Sequence, residues 1–245
     1  MSLIRFLMIT LLAVGWTQHA LARVYTIGVE NIDYYPIYKA EYGQYKGFAR
    51  DLLDRFGQEK GYEFRYEALP VIRLTKYFVD GKVDLKFPDN ALWSKDEKGK
   101  FDVRYSTPVL AYTDGVMVLP ARLHQGLDNF KHLGVVRGFT PWNYLGRVKE
   151  GKMDLKESSN LESMCNQALN SRVDGAYFNV KVARYFLKNV IKQEDGLVFD
   201  EQLPHDTNTY HLSSISHPEI VDAFNQFLEE NKDWVQALKV RYELE

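Results

Sequence analysis

The feature that most constrains this chain is an alternation of two hydrophobic periods, written twice. "VYTIGVE" (Val24–Glu30) is a β-branched run of strand length, and "GFARDLLDRFGQEKG" then sets Phe48, Leu52, Leu53 and Phe56 on one helical stripe that ends at Gly61. "YEFRYEAL" alternates as a strand, "RLTKYFVDG" puts Leu74, Tyr77 and Phe78 on a helix face that stops at Gly81, and "VDLKF" is a third strand. Past the middle the pattern restarts. "LGVVRG" (Leu133–Gly138) reads as a strand opening into "FTPWNYLGRV", a helix start with Thr140 at the N-cap and Pro141 at N1. "SSNLESMCNQALN" carries a capping box, Ser159 with Glu162; "VDGAYF" is the strand after it, "VKVARYFLKNV" a helix and "GLVFDEQL" a strand. Strand–helix–strand–helix–strand predicts a parallel α/β sheet, here in two successive units. "GKVDLKF" and "SRVDGAYF" fall at equivalent points, so Asp84 and Asp174 are expected to be structural residues closing the loop between a helix and its strand.

Between the units runs "YSTPVLAYTDGVMVLP" (Tyr105–Pro120), extended and without helical period, fit to leave one lobe and enter the next. The tail holds a strand, a helix capped by Ser216 and Glu219 with the stripe Ile220, Phe224, Phe227 and Leu228, and a closing helix with Trp234 and Leu238; it is expected to return to the first unit. Two crossings would make a hinge over a cleft, with Tyr112–Val116 and 204–209 absorbing the motion and Gly115 supplying backbone freedom.

Met1–Arg5 carries one positive charge, Phe6–Gly15 is apolar and Ala20-Leu21-Ala22 is a small-x-small site, the layout of a cleavable signal peptide (1–22) with cleavage after Ala22 and a periplasmic destination. The formal charge of −2, one unit more negative once Arg5 leaves, and the lack of a basic run argue against nucleic acid. Cys165, the single cysteine, sits on the buried stripe of its helix and reads as a small hydrophobe. No dinucleotide, phosphate-loop, hydrolase-elbow or zinc-protease motif is present, and His124, His132, His205, His211 and His217 lack metal-type spacing, so no catalytic residue, metal or cofactor is expected.

Taken in order, "YTIGVENIDYYP", "YKGFARDLLDRFGQEKG", "PVIRLTKYFVDGKVDL", "YSTPVLAYTDGVMV", "LGVVRGFTPW" and "SRVDGAYFNVKVARYFL" resemble family 3 of the type 2 periplasmic solute-binding proteins, the polar amino acid-binding group of ABC importers. The resemblance covers nearly the whole chain after the signal. It implies an α/β fold of two lobes with central mixed sheets and an interlobe cleft, lobe 1 being 23–112 plus 208–245 and lobe 2 being 113–207. It implies a monomer that closes on a small molecule and hands it to an ABC permease or signals to a membrane receptor. The alternative on the same scaffold is a periplasmic lyase similar to cyclohexadienyl dehydratase, with Glu30 or Asp33 as its acid or base.

Ligands of open α/β sheets bind at the carboxyl ends of strands. The candidate ligand residues are therefore Glu30, Asp33, Tyr34 and Tyr35 after the first strand, Arg73 after the second, and Asp89, Asn90 and Trp93 after the third. In the second unit they are Arg137, Thr140, Trp142, Tyr177 and Asn179. The aromatics would wall a planar or cationic solute, Arg73 would pair with a carboxylate, and the Thr140 helix start would favour an anionic or carbonyl oxygen. Amino acid binders of this family hold the α-carboxylate with an arginine soon after the third strand and the α-ammonium with an aspartate. Here those stretches read "FPDNALWSKDEKGKF", with no arginine before Arg104, and "VDGAYFN", ending in Asn179. The expected ligand is thus not a standard α-amino acid but a carboxylate-bearing, aromatic or otherwise polar organic solute.

Overall fold

The computed structural model describes Arg23–Glu245; the signal-peptide reading and its cleavage point lie outside the described residues. Strand β1 (Val24–Glu30) leads into the tyrosine-rich stretch, which is a small antiparallel sheet rather than a loop: β2 (Asp33–Tyr34), β3 (Tyr38–Glu41) and β4 (Gln44–Lys46). Helix α1 (Phe48–Lys60), β5 (Glu63–Leu69), α2 (Val71–Val79) and β6 (Leu85–Asp89) complete the first unit. Gly61 ends α1 in the left-handed conformation at φ 74°, where a residue without Cβ bears no steric penalty. After α3 (Lys95–Lys98) and β7 (Arg104–Tyr105), the nine-residue β8 (Leu110–Val118) enters the second unit. That unit holds β9 (His132–Val136), α4 (Leu145–Lys149), β10 (Asp154–Ser158), α5 (Leu161–Leu169), β11 (Gly175–Asn179), α6 (Val180–Phe186) and the two-residue β12 (Val198–Phe199). β13 (Asp206–Ser214) returns, and α7 (Pro218–Glu230) and α8 (Lys232–Arg241) close the chain.

The sheet runs β10-β9-β11-β8-β13-β6-β1-β5. β1 lies parallel between β5 and β6, and β9 parallel between β10 and β11, so each unit has the same order with its first strand in the middle. The Val-Asp echo has the same structural use in both. Asp84 accepts the Thr26 amide at 2.7 Å through its carboxylate, tying β6 to the start of β1. Asp174 accepts the Lys131 and His132 amides at 2.7 Å each, tying β11 to the start of β9. A carboxylate receiving backbone N–H groups at a strand entrance satisfies donors that the ladder leaves free.

β8 and β13 form the double crossing, paired antiparallel from Leu110–Asp114 to Asp206–Tyr210. β13 then pairs with β6 in the first unit, while β8 pairs with β11 in the second. At Gly115 a Cβ would sit 2.3 Å from the Phe199 ring, so the missing side chain makes room for close packing. The tail returns to the first unit, with Phe56 of α1 against Phe224 at 5.0 Å and Phe227 at 5.5 Å. Cys165 is buried, and burial pushes its thiol up to about 12.

Helix starts depart from the sequence reading. Asn160, not Ser159, caps α5, its Oδ1 accepting the Ser163 amide at 2.8 Å. α7 begins at Pro218 after His217, with no side-chain cap from Ser216. The segment after Thr140 is a 3-10 turn at Trp142–Tyr144 followed by the five-residue α4, capped by no side chain. "GLVFDEQL" is strand only at Val198–Phe199.

Candidate functional site

A cavity of ≈ 100 Å³ opens where the carboxyl ends of the two parallel units face each other across β8 and β13. The first unit contributes Glu30 from the end of β1, Tyr34 and Tyr38 from the small sheet, Thr75 from α2 and Lys86 from β6, with Trp93 and Ser94 beyond it. The second contributes Gly138, Phe139 and Thr140 after β9, Trp142, and Tyr177 from β11. The crossing strands contribute Asp114 from β8 and Asp206 and Tyr210 from β13, and Val71 completes the lining.

The walls are aromatic. Tyr34 and Tyr38 stack at 5.3 Å, Tyr112 and Tyr210 at 4.5 Å, and Trp93 closes on the latter pair at 5.9 and 5.8 Å. Tyr34 also spans the cleft: its hydroxyl accepts the Asn179 amide at 3.1 Å, and its ring meets Phe139 edge-on at 5.5 Å.

The charges are mostly acidic. Glu30 accepts the Tyr38 hydroxyl, and burial raises its carboxyl above the usual range despite that bond and the Lys86 ammonium nearby. Asp114 stands directly opposite Asp206 in the β8–β13 register and opposite Asn179 on β11. Its Oδ1 is sealed from solvent and has no hydrogen-bond partner among the described residues. Burial, then Asp206 and Glu30, push its carboxyl up to about 8. Lys86, the one cationic side chain lining the cavity, is bonded at 2.8 Å to Asp89, which Lys98 also holds at 2.8 Å.

Of the residues singled out in the sequence, Glu30, Tyr34, Trp93, Thr140, Trp142 and Tyr177 meet around this cavity. The others do not line it. Asp33 pairs with Lys39 at 2.7 Å on the small sheet, and Tyr35 packs against Tyr185 at 4.8 Å and Tyr242 at 6.0 Å. Arg73 is exposed on α2, and Arg137 is exposed and turned to Glu157 at 3.3 Å. Asp89 lies fully buried beneath the site, where its Oδ2 accepts the Ser213 hydroxyl at 2.7 Å. Asn90 donates to Asn208 at 3.0 Å and to the Thr209 carbonyl at 2.9 Å, fastening the first unit to β13. Asn179 caps α6, accepting the Lys181 and Val182 amides at 2.9 and 3.1 Å. Its amide oxygen is therefore already committed.

Sequence reasoning missed Tyr38, Lys86, Asp114, Asp206 and Tyr210. Two of them carried a signal: Lys86 is a charge inside an otherwise buried strand, and Asp114 a lone acid within "AYTDGVMV". Both patterns break strand burial, and a charge there is costly unless something pairs with it.

The chain was compared with known proteins. No protein-family model matches it, and no curated protein matches it. Solved structures with the same fold do. The amino acid ABC transporter substrate-binding protein AbpA of Streptococcus pneumoniae, bound to L-arginine, is 17% identical over 91% of this chain and 96% of that one, with a TM-score of 0.69. The GluR0 ligand-binding core in complex with L-glutamate is 14% identical over 92% of this chain and 100% of the other, with a TM-score of 0.71. The ancestral amino acid-binding protein AncCDT-1, a precursor of cyclohexadienyl dehydratase, is 18% identical over 89% and 94%, with a TM-score of 0.69. The chain thus has the two-lobed α/β fold of the type 2 periplasmic binding proteins, and its structural neighbours are amino acid-binding proteins of that kind.

Proposed function

We propose that this protein is a periplasmic solute-binding protein whose lobes, 23–112 with 208–245 and 113–207, close on a small polar organic solute for ABC-type import or receptor signalling. The observation that carries the reading is the cavity itself, aromatic and carboxylate-lined and built from both units and from the two crossing strands. Contacts such as Tyr34 to Asn179 exist only when the lobes are together, so a solute touching both sides favours closure by the free energy of its added contacts. The β8–β13 pair, around 112–116 and 204–209, is where that motion is absorbed. The lack of arginine in the lining supports a ligand other than a standard α-amino acid, because only Lys86 is present to meet an α-carboxylate.

Small-angle scattering with and without a solute that stabilises the protein in a thermal-shift screen tests this reading. A smaller radius of gyration with the solute is expected; tight binding without any change in the scattering profile would overturn it. In the same system Trp142→Ala, which truncates a ring 47% exposed at the cavity, is expected to leave the thermal midpoint nearly unchanged. Calorimetry should show binding weakened by about 5- to 150-fold, the equivalent of ~1–3 kcal/mol for a stacked aromatic. Trp93→Ala, whose ring packs on Tyr112 and Tyr210, is expected to lower both affinity and stability.

One observation favours a second reading. Asp114 is an unpartnered carboxyl poised at about 8 inside the cavity, as a general acid would be, and AncCDT-1 is a structural neighbour. Catalytic loss of prephenate or arogenate in the presence of the purified protein would establish a lyase in place of a binder.

A further inference from the structure

We propose that the cavity is built for a small organic ammonium ion, held by Asp114, Asp206 and Glu30 within a wall of tyrosine and tryptophan rings. This rests on the solute-binding reading and specifies its ligand class.

Charge balance points first. Three carboxylates line the cavity against one ammonium, Lys86, and that ammonium is spent on Asp89. Asp89 is shared between Lys86 and Lys98 below the site, so that cluster leaves a surplus of one positive charge against the three acids above. The backbone register points the same way. Asp114 and Asp206 are directly opposed across an antiparallel pair, an arrangement that like charges make unfavourable. A cation lodged between them would displace the Asp114 proton, replace the repulsion that its ionisation would otherwise create with two attractions, and give the orphaned Asp114 Oδ1 a donor.

The aromatic lining completes the case. Tyr34, Tyr38 and Tyr210 are buried, and burial drives their phenols well above the ordinary value, so they stay neutral and present π-faces and acceptor oxygens. Electron-rich faces around a desolvated ammonium add cation–π attraction. Size agrees: a cavity of ≈ 100 Å³, against about 150 Å³ for one that takes benzene, suits a cation of few heavy atoms.

Binding should also depend on pH. In the free protein Asp114 faces Asp206 and Tyr210 on β13, Tyr177 on β11, Glu30 at the end of β1, and Tyr34 and Tyr112, with Lys86 across the cavity. Its carboxyl, raised to about 8, carries a proton at pH 7 that an incoming cation displaces. Affinity therefore rises by up to about tenfold per pH unit toward that value and levels off above it.

Calorimetric titrations of the mature protein with ethanolammonium and tetramethylammonium, against propionate, glycine and L-arginine, between pH 6 and pH 9 test the assignment. The expected result is saturable binding of an ammonium probe, tightening with pH as above, and weakened at least 30-fold in Asp114→Asn while circular dichroism shows that variant folded. Asp206→Asn should weaken it by a smaller factor. Tighter binding of propionate, glycine or arginine, with compaction in scattering, would overturn the cation assignment and leave the solute-binding reading intact. Ammonium binding that is indifferent to both Asp114→Asn and pH would also overturn it. If none of these probes nor any solute of a broad thermal-shift screen binds, both readings fail.

Discussion

Raising the pH of the solute-free protein from about 4 to about 8 is expected to lower its stability, and Asp114→Asn is expected to remove most of that loss. Asp114 has a folded-state value of about 8 against 3.8 for an ordinary aspartate. A group raised on folding releases its proton earlier in the unfolded chain. From about pH 4 upward the unfolded state ionises Asp114 while the folded state keeps it protonated, so stability falls until both states are ionised above about pH 8. Each pKa unit corresponds to ~1.4 kcal/mol, which puts the full effect on the order of 5 kcal/mol. Glu30, also raised by burial, acts in the same direction. Asp89, held low, acts in the opposite one and loses its contribution as pH falls. The decisive readout is therefore the difference between wild type and Asp114→Asn in urea denaturation at pH 5 and pH 8. The variant should gain most at pH 8. An equal effect at both pH values would show that Asp114 carries no such strain. An added ammonium ligand should stabilise wild type at pH 8 and do little for Asp114→Asn.

The second large effect is expected at Asp89. Its carboxylate is wholly buried and receives the ammoniums of Lys86 and Lys98, the Ser213 hydroxyl and the Asn90 amide, the last at 2.9 Å. Burial alone would raise this carboxyl, and the two ammoniums more than offset that and hold it below the ordinary range. Asp89→Ala leaves both buried cations without their counter-charge. Breaking a buried pair from one side typically costs about 3–5 kcal/mol, and the two-sided position here places the loss at the upper end. Urea denaturation measures it. Adding Lys98→Met to Asp89→Ala should recover part of the loss, since one uncompensated ammonium is gone. A cost under about 1 kcal/mol for Asp89→Ala, or no recovery in the double variant, would show that water reaches the cluster and screens it.

Asp89 also shows how position along a strand misleads. Its place at the carboxyl end of β6 is right for a ligand residue, yet its side chain turns down into the core, toward β13. Glu30, at the matching place on β1, turns up into the cavity. A period of two residues sets which face a side chain takes, but which face meets the cleft depends on how the strand is laid in the sheet. Arg73 stays out of the cavity for a similar reason. Pro70 starts α2 and the arginine lands on the helix side that faces water, while Val71 and Thr75 of the same helix line the cavity.

What the sequence determined by itself was the local and the repetitive. Apolar stripes at 3.6 residues, β-branched runs at strand length and glycine stops are short-range signals, and two rounds of them were enough for two α/β units. The paired Val-Asp entrances belong to this class, because each carboxylate accepts backbone amides at the start of the strand beside its own. Tertiary structure alone decided which charges meet. Asp114 and Asp206 are far apart in the chain and look like linker residues, and they become the centre of the site only because β8 and β13 pair in one register. A shift of β13 by one residue would turn Asp206 to the opposite face and leave Asp114 without it. Coulomb energies depend on distance and on the water left between charges, and neither quantity is written in the order of the residues.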